Sequence, residues 1–244
     1  MFVVNIIIKR QKMLEILQYD FIQNALIAGV LISIAAGIIG SLVVVNKITF
    51  LTGGIAHSSY GGIGLAIYMG IPVLFGATVF AVLTAILIAI ITLKNRTRID
   101  AIIGMMWASG MAIGIIFVDL TPGYNVDLMS YLFGSIIAVS REDLIYMSVL
   151  DIFIISIVVF FYKQILAVSY DSEFASLRGI NVKFFYTLIL ILAALCVVAA
   201  IKAVGLILVI ALLTIPTYLA ENFSSKLSTM MIISSILATI FTIL

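Results

Sequence analysis

From Phe21 to Leu244 the chain is a succession of apolar runs, each about as long as a bilayer is thick. A helix rises about 1.5 Å per residue, so a hydrocarbon core of about 30 Å takes about 20 apolar residues to cross. Eight stretches meet that length: 21–45, 54–70, 72–93, 99–119, 142–163, 184–202, 204–221 and 228–244. The junctions at Ile71-Pro72 and Lys202-Ala203 are so tight that their flanking spans must be hairpin neighbours. Composition agrees. Of the 244 residues, 64% are hydrophobic and 10% charged, against about 25% charged in a soluble domain. With a mean hydropathy of +1.35, lipid must be the solvent for most side chains. The expected fold class is therefore an all-α polytopic membrane protein of about eight transmembrane helices.

Two segments depart from the spanning pattern. Residues 128–139 are apolar but too short to cross, and are expected to form a short re-entrant helix; irregular backbone at membrane depth is tolerated only where protein buries it or a cavity meets it. Residues 1–20 are expected to be an N-terminal extension followed by an interfacial helix from Met13, with 21–244 as the transmembrane domain. Lys9, Arg10 and Lys12 follow the apolar stretch Phe2–Ile8 instead of preceding it, so the start of the chain does not have the pattern of a cleaved signal peptide.

Lys and Arg set the orientation. Loops after the first, third, fifth and seventh spans hold Lys47, Lys94, Arg96, Arg98, Lys163, Arg178, Lys183 and Lys226, eight in all; the opposite loops hold two, Arg141 and Lys202. The first set is expected in the cytoplasm, with both termini extracytoplasmic. The basic N-terminus narrows the margin without reversing it. Lys202 is expected to snorkel to the outer boundary.

Few residues here can do chemistry. The net charge of +2 gives no case for nucleic-acid binding. The single Cys196 rules out a disulfide framework and is read as a small hydrophobe inside a helix. No phosphate-binding loop, dinucleotide fingerprint or nucleophile motif occurs, so the chain should not hydrolyse ATP. His57 is the only histidine, in Thr52-Gly-Gly-Ile-Ala-His57-Ser-Ser-Tyr-Gly-Gly-Ile-Gly64. An ionisable group inside a span is costly unless it is paired or used, and imidazole is a ligand for divalent transition metals. A histidine bonded to a neighbouring helix is the plainer alternative. Ser58 adds an oxygen beside it. Asp119 and Asp127, flanking Pro122-Gly123, are either solvated loop carboxylates or guides for an incoming cation. One histidine does not make a closed site, which takes about four ligands, but loose binding suits a conduit. Pro216 interrupts the seventh span and either forms a gate or lets the helix curve.

The longest cytoplasmic connection contains Ser169-Tyr-Asp171-Ser-Glu173-Phe174-Ala175-Ser-Leu177-Arg178-Gly179. Ser169 or Asp171 can cap a short helix and Gly179 end it. Phe174 and Leu177 would then be exposed, as a docking surface or on a mere linker.

The order and spacing of several blocks resemble the permease subunits of the ABC-3 family, bacterial importers of zinc, manganese or iron. They are Phe21-Ile-Gln-Asn-Ala-Leu-Ile-Ala-Gly29, Ala56-His57-Ser58, Asp100-Ala-Ile-Ile-Gly104, Leu132-Phe-Gly134 to Ser140, Asp171-Ser-Glu-Phe-Ala175 with Gly179, and Val204 to Pro216. The resemblance implies a multi-pass permease in the bacterial cytoplasmic membrane that binds no cofactor of its own. Its partners would be a second copy of itself, cytoplasmic ATP-binding subunits and an extracytoplasmic metal-binding protein. His57 would face the translocation path, and Asp171, Glu173, Phe174, Ala175 and Gly179 would form the coupling helix on the ATPase. Ala-His-Ser resembles zinc branches more than manganese ones. Many members carry an aspartate one turn before this histidine, where this chain has Gly53. The alternative is a gradient-driven secondary metal transporter. That mechanism wants a buried carboxylate or cation pair for coupling, and none is expected in mid-span.

Overall fold

The computed structural model describes residues 19–94, 99–122 and 129–243, which are all-helical. The expected N-terminal extension, nearly all of the interfacial helix and Asp127 lie outside the described residues. The elements are α1 (Asp20–Val45), α2 (Thr49–Met69), α3 (Val73–Lys94), α4 (Ile99–Asp119), α5 (Met129–Phe133), a 3-10 turn (Ile136–Ala138), α6 (Arg141–Phe160), α7 (Tyr162–Tyr170), α8 (Ser172–Leu177), α9 (Val182–Glu221) and α10 (Leu227–Ile243). Each of the eight expected spans coincides with one of these helices or with half of α9. Five helices, α1, α3, α4, α6 and α9, are long and apolar enough to cross a membrane by length and composition.

Small residues decide how the helices meet. On α1, Gly37 backs onto Ser235 of α10 and Gly40 onto the Leu213 carbonyl and Thr217 of α9, where a Cβ would collide. Ser33 and Ser41 return their hydroxyls to the Gly29 and Gly37 carbonyls of their own helix, so their bulk stays small and their polarity is spent. α2 is enclosed in the same way. A Cβ on Gly110 of α4 would lie 2.5 Å from the Ser58 Cα, and one on Gly61 2.9 Å from the Gly110 carbonyl. Dispersion between backbones at this range drives association in lipid, where the hydrophobic effect between helices is lost. The result is that α2 is buried from Leu51 to Gly64 without interruption. Its polar residues therefore meet protein and not lipid.

α9 is two helices, together 40 residues or about twice the crossing length, and residues near its two ends, Val182, Tyr186 and Glu221, line one cavity. The two helices meet at Gly205, the one residue outside helical geometry (φ 75°, ψ 165°). Only glycine takes that backbone without strain. The break is where the 129–139 segment docks. Gly134 is also left-handed (φ 71°), and its backbone abuts that of Gly205: a Cβ on Gly205 would sit 2.5 Å from the Leu132 oxygen. The Ser135 N–H donates to the Lys202 carbonyl at 3.0 Å, so the break and the short segment satisfy each other. The junction expected at Lys202-Ala203 is thus found three residues on, at Gly205; the further interruption expected at Pro216 is not, and the helix continues through that buried proline.

Lys202 does not snorkel freely either. Its ammonium pairs with Asp143 at the start of α6, and Asp143 also accepts from the Ser140 N–H at 2.8 Å while Ser140 Oγ caps the Asp143 N–H. The capping box fixes Asp143 at the start of α6, and the ion pair ties that end of α6 to α9 beside its break.

A buried histidine between two helices

His57 lies about 12 Å from the first residue of α2, eight residues along the helix, with 8% of its surface exposed. Its ring stacks flat on Trp107 of α4, with centroids 3.7 Å apart and planes 9° from parallel. Trp107 is the chain's only tryptophan, and its indole N–H donates to the Met111 sulfur at 3.1 Å. The His57 Nδ1 atom is buried with no hydrogen-bond partner. That is unusual for a buried imidazole nitrogen, and it leaves one lone pair or N–H uncommitted. Trp107 passed unnoticed in the sequence; its place one helix away gave no local signal.

The hydroxyls around His57 are committed elsewhere. Ser58 Oγ donates to the Met106 carbonyl at 2.8 Å, Ser59 Oγ to Ala56 and Thr52 Oγ1 to Ile48. Ser58 thus binds α2 to α4. One turn before His57, Gly53 leaves a gap that α9 fills: a Cβ there would lie 3.1 Å from Ile210 Cδ1. An aliphatic side chain stands where many relatives are expected to place a carboxylate.

Asp119 ends α4 and is exposed. It lies twelve residues from Trp107, about 18 Å along the helix, so it does not reach His57. Among the described residues no three His, Cys, Asp or Glu side chains cluster as a metal site would. The expectation of no mid-span carboxylate fails at Asp151 of α6, which is buried with both oxygens unpartnered.

Below His57 a cavity of about 700 Å³ opens at the end of the bundle, lined by Leu51, Asn46, Ser169, Tyr186, Glu221 and Ser224 among others. Leu51 is six residues, about 9 Å, from His57 along α2. At the cavity wall the Asn46 amide, which closes α1, donates to Ser169 Oγ at 2.9 Å. Ser169 precedes α8, whose form matches the expectation closely. Asp171 caps it, accepting from the Phe174 N–H at 2.8 Å. Gly179 follows it with φ 78°. Ala175 is fully buried, while Phe174 is 48% and Leu177 88% exposed. The Arg178 guanidinium sits 5.0 Å above the Phe174 ring, and Glu173 lies in the first turn.

Residues 18–244 match the model of the ABC 3 transport family. A probable metal transport system membrane protein of Chlamydia trachomatis is 40% identical over 84% of this chain and 72% of its own. The manganese transport system membrane protein MntC of Listeria monocytogenes is 34% identical over 90% of this chain and 78% of its own. The solved structure of PsaBC from Streptococcus pneumoniae in complex with Fab superposes with a TM-score of 0.84 at 29% identity, covering 94% of this chain and 83% of the matched one.

Proposed function

This chain belongs to the ABC 3 transport family, as a multi-pass membrane permease of a metal ABC transport system and not itself an ATPase, and from that premise we propose that it carries divalent manganese past His57 into the cytoplasm. The observation that carries the site is the uncommitted Nδ1 of a buried, stacked imidazole within α2. Stacking on Trp107 holds the ring in one orientation, so the nitrogen is aimed without a hydrogen bond to hold it. The cavity toward the start of α2 offers a released ion hydroxyl, amide and carboxylate oxygens, with Lys47 and Lys226 also on its wall.

Manganese is favoured over zinc on two grounds. The Listeria relative is named for manganese, and a site with one imidazole and no thiolate suits the harder ion. Zinc, which the Ala-His-Ser wording suggests, is the second reading, with iron behind it. A single strong ligand keeps affinity low enough for release. Ser58 contributes by fixing α2 to α4. Asp119, about 18 Å from Trp107 along α4, does not bind with His57; it and Asp127 are proposed only as entry charges.

Two copies of the chain, two cytoplasmic ATP-binding subunits and an extracytoplasmic metal-binding protein complete the proposed importer. In this orientation both termini are outside. Asp171, Glu173, Phe174, Ala175 and Gly179 shape the surface that docks on the ATPase, and the Asn46–Ser169 contact passes its displacement to the α1–α2 corner, two turns from His57.

The test is uptake by His57→Ala in the assembled importer, with metal-selective growth rescue of an importer-deficient strain. The expected result is loss of uptake with assembly retained, and rescue of the parent by manganese before zinc. Normal uptake by the variant removes His57 from the path; rescue by zinc alone reverses the choice of metal.

A further inference from the structure

Asp151 occupies the middle of α6, on the helix face that also carries Met147, Ile154 and Val158. Those three are buried, and Asp151 keeps only 4% of its surface. α6 packs with this face on α1 and α9. Neither carboxylate oxygen has a hydrogen-bond partner. Because the burial is achieved within one chain, neither a second copy nor lipid can supply a donor without the helices parting.

The charged groups nearby are otherwise engaged. On α6 itself, Asp143 lies eight residues away, about 12 Å along the helix, and takes the Lys202 ammonium of α9. Asp20, at the start of α1, pairs with Arg141, and the Tyr186 hydroxyl of α9 meets Thr92. α10 has no ionisable side chain. Cys196 of α9 lies within electrostatic reach of Asp151, and it is a thiol without positive charge to offer. An ionised carboxylate held away from water, cation and donor costs several kcal/mol. A carboxyl group avoids that cost by keeping its proton.

We propose that Asp151 is a proton-binding site, occupied in this conformation and emptied whenever the seam between α1, α6 and α9 opens to water. The step is a simple dissociation: the carboxyl O–H bond breaks, the proton passes to water and no electrons move. The site lies on α6, apart from His57 on α2, so it goes beyond the proposed metal path and does not depend on it. The sign follows from linkage. This conformation holds a proton that the opened or unfolded chain gives up at neutral pH, so the conformation loses stability as pH rises.

Infrared difference spectroscopy of the permease–ATPase complex in lipid nanodiscs, wild type against Asp151→Asn, tests the proton directly. The expected result is a neutral-carboxyl C=O band at neutral pH that the substitution removes. Should the asparagine variant not assemble, Asp151→Glu serves, since it moves the same band. A wild-type spectrum with no band assignable to residue 151 overturns the proposal. Thermal unfolding supplies a second readout: the wild-type midpoint falls from mildly acidic to alkaline pH relative to that of D151N, and parallel curves overturn the linkage. Metal uptake through His57 is a separate readout, so failure here is distinguishable from failure of the proposed function.

Discussion

Gly205→Ala should destabilise the protein far more than a methyl group ordinarily does, because two independent costs fall on one atom. The first is backbone strain. At φ 75° and ψ 165° an L residue pays about 1–3 kcal/mol. The second is steric. The new Cβ would sit 2.5 Å from both the Leu132 oxygen and the Gly134 nitrogen. These are backbone atoms that cannot rotate away, and such overpacking costs about 1–3 kcal/mol. Together the expected loss is about 2–6 kcal/mol, a large share of the 5–15 kcal/mol that typically separates folded from unfolded. Gly104 on α4 is the internal control, since nothing lies within 4 Å of a Cβ built there. Gly104→Ala should be neutral or stabilising by up to about 1 kcal/mol. The assay is thermal unfolding of both variants in nanodiscs, followed by circular dichroism. If G205A unfolds within about 0.5 kcal/mol of G104A, the scatter of an unremarkable surface change, the break in α9 accommodates a Cβ at no cost. The docking of 129–139 on Gly205 would then not fix the shape of the helix.

Lys202→Met should leave Asp143 with only the Ser140 contacts and destabilise by about 1–3 kcal/mol, below the usual figure for a fully buried pair because the lysine is about one-third exposed; the double variant with Asp143→Asn should cost less than the two singles added, and additive costs in unfolding would show that the pair does not interact. Glu173→Lys with Phe174→Ala should leave the permease folded but break the link between ATP hydrolysis and transport, because the exposed Phe174 face and the first-turn carboxylate are both lost; unchanged stimulation of ATPase activity by the metal-loaded binding protein would sink the docking assignment of α8.

What the sequence could disclose was what neighbours along the chain decide. Span lengths, the Asp171 cap and the Gly179 stop are local, set within a few residues, and the helices begin and end close to where those signals lie. The junction expected at Lys202-Ala203 lies within three residues of the break at Gly205, but the residue that makes it was not legible, because proline announces itself in any sequence while a glycine does so only through what packs on it. Pro216 loses one helical hydrogen bond and the helix absorbs it. Gly205 meets the backbone of residues seventy positions earlier, and nothing near it in the chain encodes that meeting. Trp107 was missed for the same reason, since its stack with His57 joins two helices. Asp151 is different in kind. It was visible in the sequence, but whether a mid-span carboxylate is buried, paired or lining water is settled by the faces that α1 and α9 turn toward it.

α2 joins these threads. Among the long helices it is the one that hydropathy alone ranks too polar to cross, 21 residues with Thr52, His57, Ser58 and Ser59 inside it. A helix polar over so much of its surface would be a poor guest in lipid. Its neighbours resolve the conflict. Gly110 and Gly114 of α4 and Gly76 of α3 let those backbones close around it, and its hydroxyls turn to carbonyls of its own helix and of α4. With lipid excluded and the hydroxyls satisfied, one polar atom in α2, the His57 Nδ1, is left buried and unpartnered. A bundle built only for stability would have replaced that imidazole with an aliphatic side chain, since an unpaired buried polar group costs about 1–3 kcal/mol. Local rules are expected to fail where function requires it, and in this chain the glycines of three helices are arranged around that failure.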